Sequence, residues 1–83
     1  MAALLDALRP VGRRRAALEA TAGNLWLHPG HYAIVRQSGR MRWAEPGERP
    51  KPGEAMIRSG DPWSVARLEH VLALAEREAN AGR

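Results

Sequence analysis

Two histidines flank a Pro-Gly pair, and imidazole is a side chain that can hold a metal ion or titrate near neutral pH. His28 and His31 stand at the ends of the stretch His-Pro-Gly-His, whose proline and glycine predict a type II turn. Zinc sites take three or four protein ligands. The chain has no cysteine, and nothing in the spacing guarantees that His70, Glu69 or Glu54 approaches the pair. We therefore predict turn residues here, with no metal and no cofactor.

Arginine supplies twelve of the 13 basic residues, and the net charge is +4. Guanidinium groups bind phosphate in a bidentate manner, and a β-ribbon can enter a DNA groove. No helix-turn-helix signature or RNA-recognition aromatic pattern accompanies these arginines, and heavy Arg and Ala usage is also typical of a GC-rich genome. Nucleic-acid binding is therefore the alternative hypothesis, carried by a helix start and one hairpin face: Arg13, Arg14, Arg15, Arg40 and Arg42.

A second apolar patch on the C-terminal helix favours protein binding. A helix that covers a sheet with one face needs only one apolar stripe, and the main stripe of this helix is Leu68, Leu72, Ala75 and Ala79. Apolar residues nevertheless also fall on the opposite side of the helix. Trp and Arg are enriched in binding hot spots, and a nearby Pro-rich loop is long enough to reach a partner. The predicted contact residues are Trp63, Arg67, His70, Leu74, Pro50 and Lys51.

Catalytic motifs are missing from the sequence. There is no cysteine nucleophile, no Ser-His-Asp order with a nucleophile-turn glycine, and no phosphate-loop spacing of glycines. Glu69 and Glu76 share a helix face, where we expect them to be solvated. We predict that the protein is not an enzyme and has no small-molecule substrate.

The composition predicts one small domain over residues 1–83 with a thin core. Of 37 apolar residues 15 are alanine, which leaves 22 larger ones. Without cysteine there is no disulfide, and small scaffolds with thin cores often depend on oligomerisation or a partner. No apolar run approaches the roughly 20 residues of a membrane span, and the N-terminus lacks the basic region of a signal peptide. We expect a cytoplasmic protein without a membrane partner.

The N-terminal third predicts a helix or a helix pair. Leu4, Leu5 and Leu8 repeat at helical spacing, and Pro10 with Gly12 predicts a break between helices at 2–9 and 12–22. One kinked helix over 2–22 is the alternative. Residues 25–28 then predict a short strand.

Residues 32–45 give the clearest β pattern. Ser38-Gly39 predicts a two-residue hairpin loop between strands at 32–37 and 40–45. In that register residue 34 pairs with residue 43, and one face, predicted to form the core, carries Tyr32, Ile34, Met41 and Trp43.

The remaining chain predicts a connection, a strand and a helix. The Pro-rich loop at 46–53 should be extended, semi-rigid and solvated. A strand follows at 55–58. The last helix is expected over 62–79, with Asp61 as N-cap and Pro62 as the first helical residue.

Together these elements predict an α+β fold: an N-terminal helix or helix pair, a small antiparallel sheet built on the 32–45 hairpin, and a C-terminal helix packed on the sheet. The order of helix, hairpin and helix, with Arg36-Gln37-Ser38-Gly39-Arg40 at the hairpin, is similar in outline to small phage head-completion proteins. That likeness covers topology only. We predict a non-enzymatic interaction module, an accessory subunit or a regulator of phage or plasmid type, that binds a protein partner or itself.

Overall fold

Two helices and a three-stranded sheet make up the fold. The computed structural model describes the backbone of residues 2–82 and the side chains of residues 12–82. The elements are α1 (Ala2–Asn24), β1 (Tyr32–Val35), β2 (Met41–Trp43), β3 (Ala55–Arg58) and α2 (Val65–Ala81). The sheet is antiparallel with strand order β2-β1-β3. This architecture confirms the predicted α+β class, and β3 has the predicted bounds.

The N-terminal segment is one helix, so the predicted break at Pro10 is wrong. A proline inside a helix removes one hydrogen bond and bends the helix, but strong helix formers on both sides can continue it. The predicted stripe of Leu4, Leu5 and Leu8 lies outside the described side chains. The predicted strand at 25–28 is also wrong, because these residues continue α1 as successive turns, beginning with a 3.1 Å bond from the amide of Leu25 to Thr21 O.

The hairpin loop has three residues rather than two. Arg36 N donates to Arg40 O at 2.8 Å, and Gly39 N donates to Arg36 O at 2.9 Å. Gln37 and Ser38 therefore form the turn, and Gly39 follows with a φ of 91°. This is the common three-residue connection in which a left-handed glycine completes a bulge. The longer loop shifts the register by one residue, so Ala33, not Ile34, is opposite Trp43.

The shifted register turns β1 over relative to the prediction. Ala33 and Val35 face the helices, and the predicted core face is wrong for Tyr32, which is exposed. Ile34 is fully buried, but on the opposite side of the sheet. Met41 and Trp43 keep the predicted orientation and pack against the main core, whose buried members are Leu18, Leu25, Ala33, Val35, Ala55, Ile57, Leu68 and Leu72.

The C-terminal helix begins three residues later than predicted. Ser64 is the N-cap: its backbone is extended, and its hydroxyl accepts a 3.1 Å bond from Arg67 N. Asp61 and Pro62 lie in the preceding non-helical segment. Leu68 and Leu72, four residues apart, are the fully buried residues of α2, as its helical periodicity predicts.

The hairpin tip docks on α1 through close backbone contact. A Cβ at Gly39 would lie 2.9 Å from Arg14 O and 3.0 Å from Leu18 Cγ, so no other residue fits without a shift. The buried Thr21 hydroxyl donates to Gly39 O at 2.7 Å. Arg14 Nε donates to Gln37 O at 2.9 Å. The glycine thus serves both the turn and the packing.

The side-chain amide of Gln37 joins the hairpin to two further elements. Its Nε2 donates to Gly53 O and to Leu72 O, each at 2.7 Å. One residue in the turn therefore ties together the Pro-rich loop and the middle of α2.

The Pro-rich loop is largely exposed, as predicted, but it is anchored and folded into turns rather than extended. Arg42, on the sheet face opposite the helices, reaches Glu48 at 2.5 Å and Glu54 at 3.7 Å. The loop contains two turns, closed by the amides of Glu48 and Glu54. The side chain of Glu48 also accepts a 2.9 Å bond from Glu45 N. These contacts fix the loop beside the second face of the sheet.

The loop anchor makes stability depend on acid pH. The hydrogen bond from Arg42 holds the pKa of the Glu48 carboxyl below its ordinary value of 4.5. A carboxyl with a lowered folded-state pKa adds stability above its unfolded pKa, and this stability is lost as pH falls through the folded pKa. We expect the free energy of unfolding to fall from about pH 4.5 downward, and to fall less in Glu48→Gln.

Urea unfolding at pH 7 and at pH 3 measures this difference. The control is Glu76→Gln, since Glu76 is exposed and has no ion pair among the described residues. Equal pH dependence in wild type and Glu48→Gln would contradict the assigned role of the Arg42–Glu48 contact.

Candidate interaction surface

The outer face of α2 brings three of the predicted contact residues together. Arg67, His70 and Leu74 are exposed and lie three, four and seven positions apart, a spacing that places side chains on one side of a helix. Leu74 exposes 42% of its surface. The α2 face, defined by Trp63, Arg67, His70 and Leu74, thus combines cationic, titratable and apolar groups.

Trp63 joins this face from the segment before the helix. Its ring packs partly against the core, and the Arg67 guanidinium carbon lies 4.0 Å from the ring centroid, a cation–π contact. Arg67 also donates to Pro62 O at 3.0 Å. The prediction of Trp63 as a helical residue opposite the core is therefore wrong, because the indole is half inserted into the core and covered by Arg67.

The indole N–H of Trp63 is buried and has no partner among the described residues. An unsatisfied buried donor costs about 1–3 kcal/mol. Trp63 therefore holds an unsatisfied donor at the edge of an exposed surface.

Pro50 and Lys51 lie beside another side of α2. Both are exposed, and they line a shallow groove with Ala75, Glu78 and Ala79 of the helix. Lys51 N donates to Glu54 Oε1 at 2.9 Å, which holds this part of the loop in a turn. The structure thus places all six predicted residues around α2, but in two neighbouring surfaces.

The structure has a second exposed apolar region, which the sequence pattern does not predict. Trp26, Leu27 and Tyr32 expose 54%, 66% and 49% of their surface. The pattern predicts a strand at Trp26 and Leu27, and a core position for Tyr32. One sequence signal favours the register in which Tyr32 is exposed. Gly39 suits the third position of a three-residue hairpin loop, which requires a positive φ.

The two histidines pack on Trp43. The ring centroids of His28 and Trp43 are 5.2 Å apart, and those of His31 and Trp43 are 5.9 Å apart, both in edge-on geometry. His31 N donates to His28 O at 3.2 Å, and Gly30 has a φ of 87°, as the predicted turn requires. No group of three or more metal-ligating side chains gathers among the side chains described.

The arginines of the nucleic-acid hypothesis are divided among three places. Arg15 pairs with Glu19 at 3.4 Å within α1, and Arg42 is held by the acidic loop on the far sheet face. Arg13, Arg14 and Arg40 instead line one groove between α1 and the hairpin. Arg14 is partly neutralised there by Glu69 at 3.7 Å.

No protein family model, curated protein or solved structure matches this chain. None of the helices over residues 2–82 combines the length and apolar character needed to cross a membrane.

Proposed function

We propose that this protein is a non-enzymatic interaction module that binds a protein partner, or a second copy of itself, through the α2 face. It would act as an accessory subunit or a regulator, of phage or plasmid type. The single observation that carries the proposal is the exposed Leu74 on the same side of α2 as Arg67, which covers the ring of Trp63. Exposed apolar surface rimmed by polar residues is typical of protein–protein contact sites.

The small core supports a role in which stability is supplemented by association. Nine hydrophobic residues are buried among the side chains described, and three of them are alanine or valine on β1 and β3. Three other large side chains, Trp26, Leu27 and Tyr32, remain exposed. Burial of such surface contributes about 25 cal/mol per Å², so a partner that covers it would add stability. The lack of cysteine favours the cytoplasm.

Nucleic-acid binding is less well supported as the function. Three of its five arginines, Arg14, Arg15 and Arg42, are in ion pairs with carboxylates. Paired guanidinium groups release fewer counterions on binding phosphate. Trp43 lies near these arginines in sequence. Its ring packs against two histidines and the core, so it is not free to stack on a base.

Substitution of Leu74 by glutamate tests the proposed surface. We expect Leu74→Glu to abolish self-association, measured by light scattering coupled to size exclusion, because the charge would have to be buried at the contact. Ala73→Glu, on an adjacent exposed position of the same helix, is the matched control and should behave as wild type. Circular dichroism confirms that both variants fold.

If the wild type is monomeric, the same three proteins serve as baits for quantitative capture from the native host. A protein retained by wild type and Ala73→Glu, and lost from Leu74→Glu, supports the proposal. Identical binding by all three, or a salt-sensitive shift onto duplex or single-stranded oligonucleotide with no protein contact, would overturn it.

A further inference from the structure

Strand β2 has one free edge, and the hydrogen-bond pattern fixes which backbone groups lie on it. Ala44 N donates to Tyr32 O, and Arg36 N donates to Arg40 O, each at 2.8 Å. In antiparallel pairs, residues bonded to the neighbouring strand alternate with residues that are not. The bonded positions on this side of the hairpin are therefore 40, 42 and 44.

Met41 and Trp43 occupy the alternate positions. Their amides and carbonyls point away from β1, toward the edge where the sheet has no further strand. No described residue donates to or accepts from these four backbone groups. An unpaired row of this kind is a template for an added strand.

A groove of about 880 Å³ lies between α1 and the tip of the hairpin, and Met41 is the residue of this edge that lines it. Its floor is apolar, with Ala17, Ala20 and Met41, and its cationic groups are Arg13, Arg14 and Arg40. No carboxylate side chain lines it among the residues described. The α1 wall runs from residue 13 to residue 24, about 16 Å at helical rise, which matches the length of an extended segment of about five residues.

We propose that this groove binds an extended acidic segment of a partner protein, which pairs with β2 as a fourth strand of the sheet. The backbone of the segment would bond to Met41 and Trp43, its small apolar side chains would contact the alanines, and its carboxylates would pair with Arg13 and Arg40. Strand addition gives affinity through main-chain bonds and selectivity through alternate side chains. This surface is separate from the α2 face.

Charge distinguishes this occupant from a second copy of the chain. Pairing of two β2 strands would gather Arg13 and Arg40 of both copies at one edge without supplying a carboxylate, and like charges across a strand pair are destabilising. Neither Arg13 nor Arg40 has an ion pair among the described residues. An acidic strand supplies both the missing backbone partners and the missing counter-charges.

Amide exchange measured by NMR on the full ¹⁵N-labelled chain tests the proposal. The probe is a degenerate peptide library, acetyl-Glu-X-Glu-X-Glu-X-amide with X drawn from Val, Ile, Thr and Leu. At saturation we expect exchange at Met41 and Trp43 to slow at least tenfold and exchange at Arg42, already bonded to β1, to stay unchanged. The same library with lysine for glutamate should give no slowing.

Charge reversal then locates the carboxylate contacts. Arg13→Glu/Arg40→Glu should weaken binding of the acidic library at least tenfold. The control, Arg49→Glu/Arg77→Glu, reverses two exposed arginines that do not line the groove and should weaken binding less than threefold. Circular dichroism establishes that both double variants are folded.

No slowing at Met41 and Trp43 with the acidic library at 1 mM would overturn the proposal. So would tighter binding of a ten-residue oligothymidine, with Arg13 and Arg40 perturbed but the two amides unprotected, since that result indicates phosphate recognition. Leu74→Glu should leave the protection of Met41 and Trp43 intact. The experiment therefore distinguishes failure of the strand-addition proposal from failure of the α2-face proposal.

Discussion

Gly39→Ala should destabilise the protein by about 2–5 kcal/mol. A left-handed backbone costs a non-glycine residue about 1–2 kcal/mol, and Gly39 has a φ of 91°. Overpacking costs about 1–3 kcal/mol more, because the new methyl would meet Arg14 O at 2.9 Å and Leu18 Cγ at 3.0 Å. A domain of this size has a total stability of about 4–12 kcal/mol, so the variant should lose a large share of its stability.

Gly30→Ala separates the two causes. Gly30 has nearly the same φ, 87°, but a Cβ added there would meet no atom within 4 Å. Only the conformational cost applies, and we expect a loss of about 1–2 kcal/mol. Urea unfolding of the two variants at pH 7 gives the comparison. Equal losses at both positions would show that the hairpin tip does not press against α1.

Leu18→Ala should also cost about 2–5 kcal/mol. Leu18 is fully buried in the main core, and truncation of such a leucine loses transfer free energy and leaves a cavity. Each kcal/mol corresponds to about 4–8 °C in Tm for a domain of 60–100 residues. Thermal unfolding followed by circular dichroism should therefore show a fall in Tm of at least about 8 °C.

Leu27→Ala is the matched control, since Leu27 exposes 66% of its surface and should lose little. The outcome also reports on α1 as a whole. A fall in Tm for Leu18→Ala no larger than that for Leu27→Ala would mean that α1 is not a cooperative part of the domain.

Elements with strong local signals were predicted from the sequence. The turn at 28–31 has Pro and Gly at the positions that a type II turn requires, and β3 is bounded by glycines. The apolar stripe of Leu68 and Leu72 placed α2 correctly on the core. In these cases the residue types and the tertiary packing favour the same structure.

Local residue types do not determine the register of the hairpin. Ser38-Gly39 is compatible with a two-residue loop, and Gln37-Ser38-Gly39 with a three-residue loop. The choice depends on the docking of Gly39 against α1 and on the hydrogen bond from Thr21, both of which join distant parts of the chain. The consequence was large, because a shift of one residue exchanges the two faces of a strand.

The residues of the candidate sites also differ in whether local sequence patterns predict their positions. Arg67, His70 and Leu74 follow from helical spacing alone. The position of Trp63 does not follow from sequence, because Asp61 and Ser64 are both good N-cap residues. The structure uses Ser64, and Trp63 precedes the helix and packs against the core. The grouping of Arg13 with Arg40 depends on how α1 crosses the hairpin, which no local pattern specifies.

The two hydrogen bonds of Gln37 have a consequence for the order in which the chain folds. They link residues 16 and 35 positions apart, and the bond from Arg14 to its carbonyl spans 23 more. Closing loops of this length costs conformational entropy before the contacts contribute stabilising free energy. We therefore expect the contacts of the hairpin tip with α1, the Pro-rich loop and α2 to form late in folding. We also expect them to join a chain with few large apolar residues into a single cooperative unit.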